Sequence, residues 1–153
     1  MLSEAGIFAQ QSIVVGGGGG PPVVEDIIRT SWTSAATSHI ANLPATVNAG
    51  ELLLLFTGFD GNPTVTASGY STVLSDASAS AVRIAVLGKI AAGNEGGTTI
   101  DVVTSASEPG GCMAYRISNW GGTLATHVVA GTTQGGSGST VDPPSLTSGF
   151  GAV

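Results

Sequence analysis

At 153 residues the chain is long enough for one domain with its own core, plus a remainder that can serve as an arm or linker. Only 9% of residues are charged and the net charge is −6; the four cations Arg29, Arg83, Lys89 and Arg116 are too scattered to form a phosphate-binding stripe, which excludes nucleic acid as a partner. The 24 glycines, set among many Ser, Thr, Ala and Val residues, argue against long helices and for short strands joined by tight turns.

Residues 1–15 are mildly apolar, with Ile7, Phe8, Ile13, Val14 and Val15 divided by Gln10-Gln11-Ser12. The stretch is too short to fold alone, and these five side chains are read as an anchoring arm that contacts a partner protein. It carries Glu4, has no Lys or Arg before Arg29 and lacks a sustained apolar core, so it does not read as a secretion signal. Synthesis in the cytoplasm is expected. Residues 16–22 follow as a linker of five glycines and Pro21-Pro22. A phosphate cradle needs a Gly-Lys-Ser/Thr ending and a helix start, and two prolines forbid the latter.

From Val23 the pattern turns β-like, and residues 23–130 are read as the domain. Strands are expected over Val23 to Trp32, Leu52 to Phe59, Val65 to Val73, Val82 to Ile90, Thr98 to Thr104, Met113 to Ile117 and Thr123 to Val129. Turn-formers separate them: Asp60-Gly61-Asn62-Pro63, Asn94-Glu95-Gly96-Gly97 and Glu108-Pro109-Gly110-Gly111. Leu52 to Phe56 is the longest strongly apolar run, far below the roughly 20 residues of a bilayer-spanning helix, so membrane insertion is not expected. Seven or eight short strands at this spacing predict an all-β fold. The specific expectation is an antiparallel two-sheet sandwich of jelly-roll type with an extended N-terminal arm.

Residues 131–153 read as a flexible linker, Gly131 to Thr140, stiffened by Pro143-Pro144, and then the start of a C-terminal strand bearing Leu146 and Phe150. An unpaired strand seeks a partner for its N–H and C=O groups. Either the polypeptide continues, or Leu146 and Phe150 meet a neighbouring subunit.

Four short motifs within residues 45–120 resemble a broad group of phage and prophage virion β-sandwich proteins. They are Gly50-Glu51 followed by Leu52 to Leu55, Gly69-Tyr70, Leu87-Gly88-Lys89-Ile90-Ala91-Ala92-Gly93-Asn94-Glu95, and Ala114-Tyr115-Arg116. In that group the corresponding runs are a "GDLLLA" strand, a Gly-Trp turn, a "YYKVA-x-G-x-E" strand and an "AYRG" strand. Here Tyr70 stands for the Trp, Gly88 for an aromatic and Ile117 for the Gly. The resemblance implies a β-sandwich in a tail, fibre or head-decoration protein, located in the virion. Its implied partners are other virion proteins and further copies of itself, and it implies no catalytic residue.

Candidate chemistry is sparse. His39 and His127 lack a ligand-type residue at metal-pair spacing, so hydroxyl-bonded or solvated histidines are expected, and neither a metal nor another cofactor is implied. Ser137 sits in Gly135-Gly136-Ser137-Gly138, a linker context with no helix to make a nucleophile elbow. Asp60-Gly61-Asn62 reads as an Asx-turn rather than a calcium loop. Lys89 and Glu95 are expected to pair across a turn, and Cys112, the sole cysteine, to be buried packing. No enzymatic activity follows. The rival reading is a carbohydrate-binding module for host-surface attachment, with Trp120, Asn119 and Tyr70 contacting a cell-surface glycan.

Overall fold

The computed structural model describes residues 21–78 and 81–128. They form six strands and one short helix: β1 (Val23–Asn42), β2 (Leu52–Asp60), β3 (Val65–Ala67), β4 (Ser71–Ser78), β5 (Val82–Ile90), β6 (Thr99–Ser118) and α1 (Leu124–His127). All pairings are antiparallel, and hydrogen bonding is continuous through one sheet in the order β1-β6-β2-β5-β4, with β3 also on β6. The all-β antiparallel expectation therefore holds. Leu52 to Leu55 are buried on both faces of the sheet, and alternation begins only at Phe56, which is exposed between buried neighbours.

Two strands are far longer than their sequence pattern predicts. β1 runs ten residues past Trp32, and β6 passes straight through the expected turn at Glu108 to Gly111. The two glycines serve close approach there, not chain reversal. Neither has a positive φ. A Cβ on Gly110 would stand 2.4 Å from the Phe59 ring and 2.5 Å from the Gly58 carbonyl oxygen. Pro109 is tolerated because β2 pairing stops at Phe59–Gly110, while β1 shifts register between Trp32 and Ala36.

Elsewhere the expected Val65–Val73 strand is cut by a turn at Ser68-Gly69. Gly69 holds φ +77°, and the Tyr70 N–H closes on the Ala67 carbonyl at 3.1 Å. The expected strand at Thr123 to Val129 is replaced by the single turn α1, because packing overrides the β-branched pattern: Leu124 drops onto the sheet over Gly88.

The main core takes Leu55, Phe59, Ala85, Leu87, Cys112 and Ala114 from β2, β5 and the second half of β6. It joins them to Ala41, Val65, Ala67 and Val102 from the far end of β1, from β3 and from the first half of β6. β3 approaches β4 and β5 without pairing with either, so the sheet folds over toward itself. On the opposite face, Trp120, Leu124 and Val128 cover Leu52, Leu54 and Val86.

Gly110→Ala therefore forces the Phe59 ring and a neighbouring strand apart. It is expected to cost about 1–3 kcal/mol, as overpacking does, read as a lower urea midpoint at unchanged m-value.

Candidate functional site

The motif residues converge at one end of the sheet. Gly50, at φ +85°, lies in the turn just before β2, and its N–H donates to the Ala91 carbonyl at 2.9 Å while the Ala91 N–H returns to the Glu51 carbonyl at 2.8 Å. The loops before β2 and after β5 are thus tied together. Each holds a buried carboxylate. Glu51 accepts from the Asn48 N–H at 2.7 Å and the Asn48 amide at 3.0 Å, and Arg116 Nε lies 3.7 Å away. Arg116 also donates to the Thr46 carbonyl at 2.8 Å and pairs with Glu25 at 3.7 Å.

Glu95 gathers the other loop. It accepts the N–H groups of Ala92, Gly93 and Asn94 at 3.0, 2.9 and 3.1 Å, and Lys89 Nζ stands 2.7 Å from its Oε1. The expected Lys89–Glu95 pair is present. Burial alone would raise the Glu95 pKa, but the Ala92 N–H, the Lys89 ammonium and the Gly93 N–H outweigh it and hold the carboxyl at about 2. Lys89 Nζ also lies 5.9 Å from the centroid of the Tyr70 ring. The Tyr70 phenol is raised well above its ordinary value by burial, with Glu95 and Cys112 adding to the rise. Every ionic group in this cluster is engaged in holding a loop or a strand end.

The remaining sequence candidates are dispersed. His39 is buried between Trp32 and Phe59, at 4.8 and 5.0 Å between ring centroids, with Nε2 3.5 Å from the Thr104 hydroxyl. Asp101 Oδ1 accepts from the Ser38 hydroxyl at 2.8 Å and the His39 backbone N–H at 3.1 Å. Ser, His and Asp thus meet in space, a grouping that β1–β6 pairing creates and sequence spacing hides. The aspartate holds the backbone, not the imidazole, so no proton relay is formed. Cys112 is buried as expected, its thiol pushed up to about 12 by burial. Asp60 Oδ1 accepts its neighbour's N–H, Gly61, at 3.0 Å, and the Asn62 side-chain oxygen accepts from Arg83. Among the described residues, no group of three or more His, Cys, Asp and Glu side chains is arranged to hold a metal ion.

Of the glycan candidates, Asn119 is exposed and adopts φ +52°, a left-handed conformation that asparagine tolerates at the end of β6. Trp120 beside it is half-buried against Leu52, Leu54 and Val86. Tyr70 packs with Leu53 and Val47, on the opposite face of β2, so Tyr70 and Trp120 share no stacking platform. Ile7, Phe8, Ile13, Val14, Val15, Ser137, Leu146 and Phe150 lie outside the described residues.

The sequence reading missed an open apolar groove of about 420 Å³ on the outer sheet face. Phe56, Ile84 and Met113 wall it, and Gly58 and Gly111 face each other across its floor. Period-two alternation in three strands was the available signal; Gly58 and Gly111 read as interruptions of it. In comparisons with known proteins, no family model, no curated protein and no solved structure matches the chain.

Two outcomes follow. Because the Glu95 carboxyl sits at about 2 instead of its ordinary 4.5, its contribution is fully present above pH 4.5 and is lost as pH falls toward 2. Glu95→Gln should be less stable than the parent at pH 7, with the gap closing across that acid window in denaturant titrations. Trp120→Ala should lower stability by about 2 kcal/mol, since a half-buried ring leaves both a cavity and exposed Leu52 and Leu54, and calorimetry reads this as a lower Tm.

Proposed function

We propose that the chain is a non-enzymatic structural component of a phage virion, tail- or fibre-associated or a head decoration, that anchors by residues 1–15 and displays its β-domain. The observation that carries this reading is the use made of the shared motif residues. Glu51, Lys89, Glu95 and Arg116 are spent on loop locks and a strand end. A rigid module with locked loops is what a displayed particle component requires, and the motifs that resemble virion proteins are the ones that build it.

The finer architecture belongs to the same proposal. A core drawing on both halves of β6, with β3 laid toward β4 and β5, supports a two-layer sandwich of jelly-roll type. The partners are other virion proteins and further copies of this chain, bound through an arm that contributes main-chain pairing or apolar contacts to their surface.

Deleting residues 1–15 should leave the β-domain folded and soluble while abolishing its incorporation into particles. Circular dichroism and labelled-particle electron microscopy read the two effects. Normal incorporation of the truncated chain would refute the anchoring role.

A further inference from the structure

We propose that residues 119–128 are a hinged strap that lifts off the outer sheet face as a unit while the sheet beneath stays folded. The strap begins where the ladder stops. The last β1–β6 pair is Val23–Ser118, and the next residue, Asn119, is the one non-glycine position among the described residues with a positive φ, +52°. Gly121 and Gly122 follow, both exposed, with Gly122 at φ +155°. The chain can change direction there without crossing a side-chain barrier, which is what a hinge needs.

Side chains seat the strap: Trp120, Leu124 and Val128 lie on Leu52, Leu54 and Val86. α1 is a single turn, closed by the Val128 N–H on the Leu124 carbonyl at 3.3 Å, and a helix of that length does not persist in water by itself. Its order depends on docking. Leu124 gives the docked state a discrete position, because the point where a Cβ would stand on Gly88 is 2.7 Å from Leu124 Cδ2, 3.1 Å from Val73 Cγ2 and 3.2 Å from Leu54 Cδ2. The leucine is a knob between two walls over a bare glycine floor, either seated or out.

The sheet beneath does not depend on the strap. Leu52, Leu54 and Val86 form a cluster of their own on the outer face, whereas Leu53, Leu55, Ala85 and Leu87 of the same strands belong to clusters on the other face. β2 is paired on both sides, with β5 and with β6, from Leu52 through Phe59, and the loops at its start are tied through Gly50, Glu51 and Ala91. Lifting the strap therefore breaks the outer contacts and no strand pairing, the signature of a local opening distinct from global unfolding. It uncovers Leu52, Leu54 and Val86 in line with the exposed Phe56 and Ile84 on the same two strands. The strap thus sets how much of that apolar face is open.

The test places a thiol under the strap with Val86→Cys in the full chain and follows alkylation by iodoacetamide at urea concentrations below the unfolding transition. Cys112, buried in the main core, is the internal reference for global unfolding, and peptide mapping separates the two sites. The thiol at position 86 is expected to react about tenfold faster than Cys112 or more, at a rate nearly independent of urea, while Cys112 accelerates with urea. Equal rates with the same urea dependence overturn the proposal. Two further variants separate the strap from the core. Leu124→Ala removes the knob and should raise the rate at position 86 by about tenfold, and an unchanged rate overturns the proposal. Val102→Ala weakens the main core away from the strap and should raise the Cys112 rate by about tenfold while leaving position 86 unchanged. Both rates rising together in Val102→Ala also overturns it.

Discussion

Gly110 and Phe59 approach so closely that no Cβ can stand between them, and this contact lies where β6 passes from one part of the core to the other. Before it, β6 pairs with β3 and the far end of β1; after it, β6 pairs with β2 and the near end of β1. A side chain at position 110 would push β2 off β6, and the aromatic stack built on Phe59 would go with it. Trp32 lies parallel to that ring at 5.6 Å, and His39 is tilted against both. The corner of the fold is therefore a glycine, a phenylalanine and the two rings packed on it. The remaining strands inherit their positions from the long ribbon this corner bends.

Scarcity of charge shapes the rest. With so few ionisable groups, the chain places the two most buried carboxylates among the described residues where backbone N–H groups are already left over by tight turns. Hydrogen bonds from main-chain donors to an ionised oxygen are stronger than neutral ones and need no second charge to offset desolvation. Arg116 and Lys89 then complete the neutralisation from the strands. The same device is used twice, in two loops tied to each other through Gly50 and Ala91. The end of the sheet becomes rigid without a large polar network.

Most of the strand content was legible because alternation and turn chemistry are local. Leu52 to Phe59 and Val82 to Ile90 need only their own residues to be read, and β2 and β5 match them to within one residue. One failure is local, the positive-φ turn at Gly69 inside the expected Val65–Val73 strand, and the larger ones are tertiary. Glu108-Pro109-Gly110-Gly111 has the composition of a turn, and the close neighbours that make glycine necessary there lie on other strands, the Phe59 ring and Gly58 carbonyl against Gly110 and the Thr30 carbonyl against Gly111. Thr123 to Val129 has the composition of a strand, yet Leu124 is drawn into a helical turn by the space above Gly88. The Lys89–Glu95 pair was legible from a six-residue spacing. The Ser38–His39–Asp101 grouping was not, since its members meet only through strand register.

The free edge and the open face pose the same physical problem by different routes. β1 is a 20-residue edge strand with Val23, Val24, Ile27 and Ile40 exposed, and long apolar edges invite pairing with other chains. Part of that edge is blunted from within: Trp32 Nε1 donates to the Ile40 carbonyl at 2.9 Å, and the Asn42 N–H donates to the Thr30 hydroxyl at 3.1 Å. These bonds satisfy edge groups with the strand's own side chains, across the stretch of β1 where its register shifts between Trp32 and Ser38. The outer face is treated alike where Leu124 covers it, again by a segment of the same chain. A protein with little surface charge to keep copies apart gains most from covering its apolar surface intramolecularly.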